Sequence, residues 1–305
     1  MDIIIPTTGK RITQLEECII SLTKQTLQIN IVVVLGIQCF EISRRVKELC
    51  EKYKCTLLYE PYKKVKGSHR AIACNYGLQN TNDDIVAFVD DDVTVPSTWA
   101  ETATPYFEDS NIAGVTTGCK QQNSPFHLVQ TIGSSSHAKD FSKVVKVESL
   151  PGYNSIYRRR ALDLAGGFSE EIGGCEDWEL NYRLRKAGWK LYGIPEAPVE
   201  HSHSYTWQSF IEQMFGYGWS RSRLLRKKHI FTLQHALPTI GLFVLPLLFL
   251  NFEVLTFIIG AYISTLMFHA IYIGAQNLRS FIQTVLTFMV MHVSWALGYL
   301  EGLIC

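Results

Sequence analysis

The last quarter of the chain carries almost no charge, and this restricts how it can fold. Only three charged residues lie between positions 230 and 305, namely Glu253, Arg279 and Glu301. They separate three apolar stretches at residues 231–252, 254–278 and 280–300. A helix needs roughly 20 apolar residues to cross a hydrocarbon core. The pattern therefore predicts a C-terminal α-helical transmembrane module of about three helices over residues 230–305.

The first apolar stretch contains Pro238 and Pro246. Because proline removes a backbone donor and bends helices, a kinked or re-entrant helix is an alternative to a full span there. Small residues in the later stretches, such as Gly260 and Ala261, also offer surfaces for helix packing. A homo-oligomer held together by these helices is therefore an open alternative to a monomer.

A basic and aromatic segment precedes the apolar stretches. Its cationic side chains are Arg221, Arg223, Arg226, Lys227 and Lys228. Such clusters remain on the cytoplasmic side and attract anionic lipid headgroups. Residues 206–229 are thus predicted to form an interfacial amphipathic segment that contacts membrane lipids. Since the chain opens without the basic region of a signal peptide, we expect a multi-pass protein of the cell membrane with its N-terminal domain in the cytoplasm.

The first 229 residues have the composition of an ordinary soluble domain. They hold 28 Lys and Arg residues against 26 Asp and Glu residues. No basic excess points to nucleic acid as a partner. The chain has 8 cysteines, and none of them forms a CxxC pair. Reduced structural thiols are therefore expected, in place of a zinc site or a disulfide framework.

Strand and helix patterns alternate along the first 200 residues. Apolar strands are predicted at residues 2–6, 29–35, 55–59 and 85–89, and helices at residues 13–25, 43–52 and 68–79. This alternation favours a doubly wound α/β sheet. Ligands of such sheets bind beyond the carboxyl ends of the strands. The phosphate-binding motifs GxGxxG and GxxxxGK[ST] do not occur in the sequence, so neither a dinucleotide-binding domain nor a P-loop nucleotide-binding domain is supported.

A run of three carboxylates, Asp90, Asp91 and Asp92, directly follows the strand predicted at residues 85–89. Carboxylates this close together repel each other and are costly to desolvate. A divalent cation such as Mg²⁺ or Mn²⁺ prefers oxygen ligands and would neutralise them, and it can in turn hold a diphosphate. An acidic but solvated turn is the alternative explanation, and the run alone does not decide between the two.

A second acidic group lies at Glu176 and Asp177, after Gly173 and Gly174. It opens a predicted helix, and a helix N-terminus favours ionised carboxylates, which suits a general base. The alternative is that Asp177 simply caps this helix while Glu179 pairs with Arg183 one turn later. Taken alone, this second motif favours capping.

Considered together, the motifs resemble family 2 glycosyltransferases of the GT-A fold. The resemblance covers about the first 220 residues, and it rests on the order and spacing of individually weak pieces. These pieces are Ile3–Thr7, Leu15 to Thr26, Arg70 to Leu78, Phe88–Asp92, Gly152 with Asn154, Arg158 with Arg159, Gly166–Phe168 and Glu176–Leu180 with Arg183. The apolar tail looks more loosely similar to the ExoA-like branch of succinoglycan biosynthesis.

The resemblance implies a Rossmann-like, mixed-sheet GT-A domain over residues 1–205 and a role for particular residues in it. On the donor side, Pro6 and Thr7 match the loop that holds base and ribose, and Asp90 and Asp92 match the DxD motif. Asp90 would contact the ribose-diphosphate, with Asp91 beside it, and Asp92 would ligate the cation. Arg70 matches a position that often lies near the diphosphate, although a solvated arginine on a helix surface is equally compatible with the sequence.

On the acceptor side, the resemblance assigns Gly166, Gly167 and Phe168 to a loop at the acceptor, and Trp178 to acceptor binding. Asp177 matches the catalytic base, with Glu176 in support. Enzymes of this fold commonly supply a late histidine to the metal, which implies His201 and, less directly, His203. The alternative for both histidines is a polar strand.

The sequence departs from the family pattern after the second strand, where an acidic pair usually helps to bind the base. No carboxylate occurs there before Glu41, so the sequence does not decide between UDP- and GDP-linked donors. The resemblance implies an inverting, metal-dependent transfer from a cytoplasmic nucleotide-sugar to a lipid-linked acceptor, either a polyprenyl phosphate or a lipid-linked glycan. The alternatives are a sugar nucleotidyltransferase, for which Gly9-Lys10-Arg11 is a faint basic loop, and a non-catalytic membrane scaffold.

Overall fold

The computed structural model describes residues 1–36, 39–61, 68–120, 126, 141–202, 205–247, 252–272 and 277–304. The chain divides into two compact units. The first comprises residues 1–121 and 134–203, and the second comprises residues 122–133 and 204–305. His203, the weaker of the two predicted histidine ligands, lies outside the described residues.

The first unit contains the strands and the shorter helices. Its strands are β1 (Asp2–Thr7), β2 (Asn30–Leu35), β3 (Thr56–Tyr59), β4 (Ile85–Val89), β5 (Val93–Thr94), β6 (Ile112–Thr116), β7 (Val145–Lys146), β8 (Asn154–Arg158), β9 (Lys190–Gly193) and β10 (Glu200–His201). Its helices are α1 (Ile12–Thr23), α2 (Phe40–Tyr53), α3 (His69–Gln79), α4 (Trp99–Ala103), a 3₁₀ turn at Thr104–Glu108, α5 (Arg159–Ala165) and α6 (Glu176–Lys186).

Eight strands form a mixed sheet in the order β3-β2-β1-β4-β8-β6-β9-β7. The strands β3, β2, β1 and β4 run parallel, whereas β8 lies antiparallel between β4 and β6. The strands β5 and β10 form a separate antiparallel pair, in which His201 lies opposite Val93. The four strands predicted from the sequence are present, each within one residue of its predicted ends.

Both faces of the parallel strands are buried, which explains their uninterrupted apolar sequences. In β1, Ile3 and Ile5 pack with α1 and α2 residues such as Leu15 and Val46, and Ile4 packs on the opposite face. Burying one such side chain fully contributes roughly 1.5–3 kcal/mol. The sheet is thus a firm support for the polar residues that follow its strands.

The second unit contains four helices among the described residues: α7 (Trp207–Lys228), α8 (Leu233–Leu247), α9 (Phe252–Tyr272) and α10 (Leu278–Ile304). Helix α7 begins with a capping box between Thr206 and Ser209. Gly218 on α7 and Gly298 on α10 each lie directly against the backbone of the other helix, where a Cβ atom would collide. The two helices therefore pack as closely as their backbones allow.

Two described helices, α9 and α10, are long and apolar enough to cross a membrane. In their most apolar stretches only 17% and 33% of the residues, respectively, are buried. A core helix of a soluble protein would be mostly buried instead. The first apolar stretch forms the shorter helix α8, and residues 248–251 beyond it lie outside the described residues.

Candidate active site

The carboxyl ends of β1 and β4 bring the acidic run against the N-terminal loop. Thr7, the last residue of β1, donates a hydrogen bond from Oγ1 to Oδ2 of Asp91 at 2.5 Å. Arg11, in the loop before α1, forms ion pairs with Asp91 and with Asp92 through its two terminal nitrogens. Asp91 and Asp92 are each only 3% exposed. The solvated-turn explanation of the acidic run is therefore wrong, and burial raises the pKa of Asp91.

His201 lies beside Asp92 because β10 pairs with the strand that follows the acidic run. Its Nε2 atom is 3.1 Å from Oδ1 of Asp92, and the Ser202 amide donates to the Asp92 carbonyl at 2.8 Å. The imidazole stacks on Tyr153 with 4.4 Å between ring centroids. The position of His201 is thus defined on three sides, with a ring nitrogen directed at the carboxylate that was predicted to bind the cation.

Arg70 joins the two acidic groups. From α3, its Nε donates to Asp90 at 3.0 Å and its Nη1 to Glu176 at 3.4 Å. Its Nη2 donates to the Gly152 carbonyl at 2.5 Å. With 22% of its side chain exposed, Arg70 is not the solvated helix-surface residue that the sequence alternatively allowed. Asp90 and Glu176, which are 86 positions apart in the sequence, are therefore joined by one guanidinium group.

Asp177 contacts the same loop as Arg70. Its Oδ2 accepts a hydrogen bond from the Gly152 amide at 3.0 Å, while the Asn181 side chain donates to its main-chain carbonyl at 2.7 Å. The N-cap of α6 is Cys175, without a side-chain cap, whereas Asp177 is the second residue of the helix and its Oδ1 accepts a hydrogen bond from the Trp178 amide at 2.6 Å. The capping explanation therefore accounts for only part of the contacts of Asp177. The Glu179–Arg183 pair of that explanation does form, at 2.7 Å.

Glu176 is buried and is 4% exposed. Burial raises its pKa to about 7, and the charges of Asp177 and Asp90 act in the same direction, whereas Arg70 opposes them. Its Oε2 atom has no hydrogen-bond partner among the described residues. A buried acceptor without a partner costs about 1–3 kcal/mol, and a proton on the Glu176 carboxyl group reduces this cost.

Replacing Glu176 by glutamine is expected to change how stability depends on pH. The folded protein holds the Glu176 proton more tightly than the unfolded chain, so this contribution is complete below pH 4.5 and is lost as the pH rises through about 7. The Glu176→Gln protein should therefore melt several degrees above the wild type at pH 8 and close to it at pH 5. Thermal unfolding at both values measures this, with exposed Glu17→Gln as the matched control. An equal difference at both pH values would contradict the shifted pKa.

The predicted acceptor loop is held by side chains from two helices. Asn75 on α3 bonds both the Phe168 amide and the Phe168 carbonyl, each at 2.9 Å. Arg183 on α6 donates to the Gly167 carbonyl at 2.7 Å. Gly166 and Gly167 have φ angles of 77° and 72°, a left-handed conformation that favours glycine. The two glycines thus end α5 and turn the chain toward α6.

The remaining predicted residues occupy less informative positions. Pro6 lies within β1, opposite Val34 of β2. Trp178 lies on α6 beside Tyr182, with ring centroids 5.6 Å apart. The other predicted site residues form two hydrogen-bonded sets that meet where Asp90 and Asp91 are adjacent in the chain. One set contains Thr7, Asp91, Asp92 and His201 with Arg11, and the other contains Arg70, Asp90, Glu176 and Asp177 with Gly152. The predicted acceptor loop is held by α3 and α6, and Phe168 also packs against Phe88 of β4 with 4.9 Å between ring centroids.

Sequence reasoning missed two participants. Arg11 was noted only as part of a faint basic loop, and its partners lie 80 and 81 residues away. Gly152 was matched by resemblance without a role, although its carbonyl and amide contact Arg70 and Asp177. No local pattern marks a contact over such a distance, since it depends on which strands become neighbours.

The side chains of Asp92 and His201 can bind a divalent cation if a bound ligand supplies further oxygen atoms. Within the described ranges, no group of three or more His, Cys, Asp or Glu side chains is arranged to hold a metal ion. Asp92 and His201 offer one oxygen and one nitrogen, 3.1 Å apart. Sites for Mg²⁺ typically combine one or two carboxylates with substrate phosphates and water. The residues therefore fit a cation that arrives with a phosphate-bearing ligand.

Comparison with known proteins places the chain in a family. The family described as "Glycosyltransferase like family 2" matches residues 3–218. The chain belongs to glycosyltransferase-like family 2. The match includes the acidic run, Arg70, the predicted acceptor loop, α6 and His201, so the family resemblance inferred from the sequence motifs is confirmed.

Named relatives of this family member cover only part of it. The pre-mycofactocin glycosyltransferase of Mycobacterium tuberculosis is 29% identical over 175 residues, which are 55% of this chain and 36% of that protein. The succinoglycan biosynthesis protein ExoA of Rhizobium meliloti is 26% identical over 162 residues, which are 50% of this chain and 48% of that protein. The chain thus spans about half or less of the length of these curated relatives.

Solved structures confirm the GT-A fold of this family member. The mannosyltransferase PcManGT from Pyrobaculum calidifontis, in complex with GDP-Man and Mn²⁺, matches 98% of this chain and 86% of its own, with a TM-score of 0.68 and 16% identity. GalNAc-T7 with UDP, GalNAc and Mn²⁺ matches 72% of this chain and 50% of its own, with a TM-score of 0.51 and 13% identity. At these identities the likeness shows the fold alone.

Proposed function

We propose that this protein is an inverting, metal-dependent glycosyltransferase that moves a sugar from a cytoplasmic nucleotide-sugar to a lipid-linked acceptor at the membrane. The observation that carries the proposal is the connection of two acidic groups through Arg70. Asp90 and Glu176 both pair with this side chain, at 3.0 and 3.4 Å. A nucleotide-sugar bound at the acidic run of Asp90 and a base in the acidic pair of Glu176 would then act on one reacting centre.

On the donor side, Asp92 and His201 would hold the cation, and Asp90 and Arg70 would border the diphosphate. A cation bound there offsets the negative charge that builds up on the departing diphosphate. Thr7 fixes Asp91 by its 2.5 Å hydrogen bond, and this keeps the acidic run in place before the donor binds. Two nucleotide-sugar or nucleotide complexes with Mn²⁺ among the structural neighbours support the choice of ligand.

On the acceptor side, Asp177 would remove the proton from the attacking hydroxyl group. The Gly152 amide bonds one of its oxygens at 3.0 Å and so orients the carboxylate. Attack assisted by a single base, on the side of the sugar opposite the leaving diphosphate, inverts the anomeric centre. Glu176 would support this arrangement through Arg70, and Gly166, Gly167, Phe168 and Trp178 would contribute to the acceptor side.

The second unit supports a membrane location and hence a lipid-linked acceptor. Only 17% and 33% of the residues in the apolar windows of α9 and α10 are buried, which suits contact with lipid tails. The last turn of α7 carries Arg226, Lys227 and Lys228, which suit anionic headgroups. An acceptor anchored by a lipid tail is confined to the surface at which such a protein would lie.

The proposal is tested with the full chain in detergent or in vesicles. A nucleotide-sugar panel is incubated with Mn²⁺ or with EDTA, first alone and then with polyprenyl phosphate or a lipid-linked glycan. We expect metal-dependent release of nucleoside diphosphate that rises at least tenfold with one of the lipid-linked acceptors. Release of pyrophosphate from a nucleoside triphosphate and sugar phosphate would point to a nucleotidyltransferase instead. No turnover and no thermal shift with any nucleoside diphosphate would point to a scaffold.

A further inference from the structure

A buried carboxylate lies at the far end of the same sheet edge. Glu60 directly follows β3, and 5% of its side chain is exposed. Its amide donates to the Leu35 carbonyl at 2.9 Å, and the Gly36 amide donates to the Thr7 carbonyl at 2.9 Å. These bonds continue the parallel ladder one step past the strands. Thr7, Gly36 and Glu60 therefore lie side by side at the carboxyl ends of β1, β2 and β3.

Gly36 leaves the space that the Glu60 carboxylate occupies. A Cβ atom on Gly36 would lie 2.6 Å from Oε2 of Glu60 and 3.7 Å from the Thr7 carbonyl. The carboxylate thus extends over the end of β2, toward β1. Its other oxygen, Oε1, is 3.3 Å from Nδ1 of His69 at the start of α3. Any larger residue than glycine at position 36 would displace the carboxylate from this place.

The spacing along this edge matches an extended nucleotide. Asp91 contacts Thr7, so the acidic run, Thr7, Gly36 and Glu60 mark four neighbouring strands. Neighbouring strands are about 4.8 Å apart, which puts Glu60 about 14 Å from the acidic run. A nucleoside diphosphate with its phosphates at the acidic run would have its base toward β2 and β3. Ligands of open α/β sheets bind at this edge.

We propose that Glu60 recognises the base of the donor and that its chemistry selects guanine. This inference rests on the proposed function. A carboxylate only accepts hydrogen bonds, and each of its oxygens can accept more than one. Guanine presents two adjacent donors, N1–H and the 2-amino group, which pair with both oxygens of one carboxylate. Uracil presents one N–H between two carbonyl oxygens that repel it, and adenine and cytosine each place an acceptor beside their amino group.

The assignment also accounts for the missing acidic pair after β2. Residues 32–36 contain no carboxylate, yet the neighbouring strand places one over the end of β2. Glu60 is separated from β2 in sequence by the whole of α2, so its role was not visible from the order of the residues. The burial of the carboxylate strengthens each hydrogen bond that it accepts, because water competes less for it.

The test compares nucleoside diphosphates on the full chain with Mn²⁺, using calorimetric or thermal-shift titration. Wild-type protein should bind GDP roughly tenfold to a hundredfold more tightly than UDP or ADP. It should also bind IDP, which lacks only the 2-amino group, at least severalfold more weakly than GDP. Glu60→Gln should weaken GDP binding by a similar factor and leave UDP binding nearly unchanged. Glu48→Gln, an exposed residue on α2, is the matched control and should change neither.

The outcomes separate this inference from the proposed function. If UDP binds as tightly as GDP, or if IDP equals GDP, guanine selection by Glu60 is wrong while nucleotide binding stands. If Glu60→Gln weakens GDP and UDP equally, the residue has a structural role only and the inference is wrong. If the variant does not fold, the comparison of IDP with GDP on the wild type decides. If no nucleoside diphosphate binds, the proposed function fails and the inference with it.

Discussion

Replacing Asp177 by asparagine is expected to lower the rate of sugar transfer by roughly two to four orders of magnitude. Asparagine keeps the size of the side chain, and its carbonyl oxygen can still accept the 3.0 Å hydrogen bond from the Gly152 amide. It has no basic oxygen to take the proton of the acceptor hydroxyl. The loss should appear in kcat, because the change removes an interaction of the transition state.

Donor binding provides the decisive control for this variant. Asp177→Asn should bind nucleoside diphosphate and Mn²⁺ with the same Kd as wild type, since the carboxylates of the donor side are untouched. Asp84→Asn, an exposed aspartate before β4, is the matched control for charge and should keep full activity. Transfer by Asp177→Asn at the wild-type rate would show that another group acts as base.

The second large effect is expected for Asp92→Asn. Asp92 pairs with Arg11 and lies 3.1 Å from Nε2 of His201, so asparagine would preserve the shape of the site and remove its charge. Without that charge the cation would lose its main anionic protein ligand, and transfer should fall by roughly 10²–10³-fold. Mn²⁺ binding in the presence of nucleoside diphosphate, followed by electron paramagnetic resonance, should weaken in parallel.

Two controls show whether this effect belongs to the cation. Asp163→Asn removes an exposed carboxylate on α5 and should change neither activity nor Mn²⁺ binding. A thermal melt of Asp92→Asn without ligands shows whether the variant is folded. If the Asp92→Asn protein is folded and inactive but binds Mn²⁺ with unchanged affinity, Asp92 is not a metal ligand. Its role would then be to position other residues of the site.

The local sequence was sufficient to predict those parts of the structure that depend on the hydrophobic pattern of a single segment. The apolar run at β4 is buried on both faces, and the polar residues after it could only lie at the sheet edge. The apolar C-terminal stretches likewise predicted helices, and α9 and α10 meet the length and composition needed to cross a membrane. The confirmed family and fold were inferred from motifs that all lie within the matched residues 3–218.

Sequence was insufficient where distant segments meet. The position of β8 between β4 and β6 depends on pairings that join residues about 40 to 70 positions apart, and no pattern within β8 specifies them. The same holds for Arg11 with the acidic run and for Gly152 with Asp177. Local rules favoured Asp177 as a helix cap, and only the position of Gly152 showed that its other carboxylate oxygen bonds a distant loop.

The fork of Arg11 on Asp91 and Asp92 has a consequence for the order in which ligands bind. In the free protein a single internal guanidinium group already pairs with both buried carboxylates, so a bare cation would have to compete with it for them. The diphosphate of the proposed donor would offer that guanidinium a new anionic partner when the cation replaces it. In the proposed mechanism, cation and nucleotide would therefore be thermodynamically linked, and each should bind more tightly in the presence of the other.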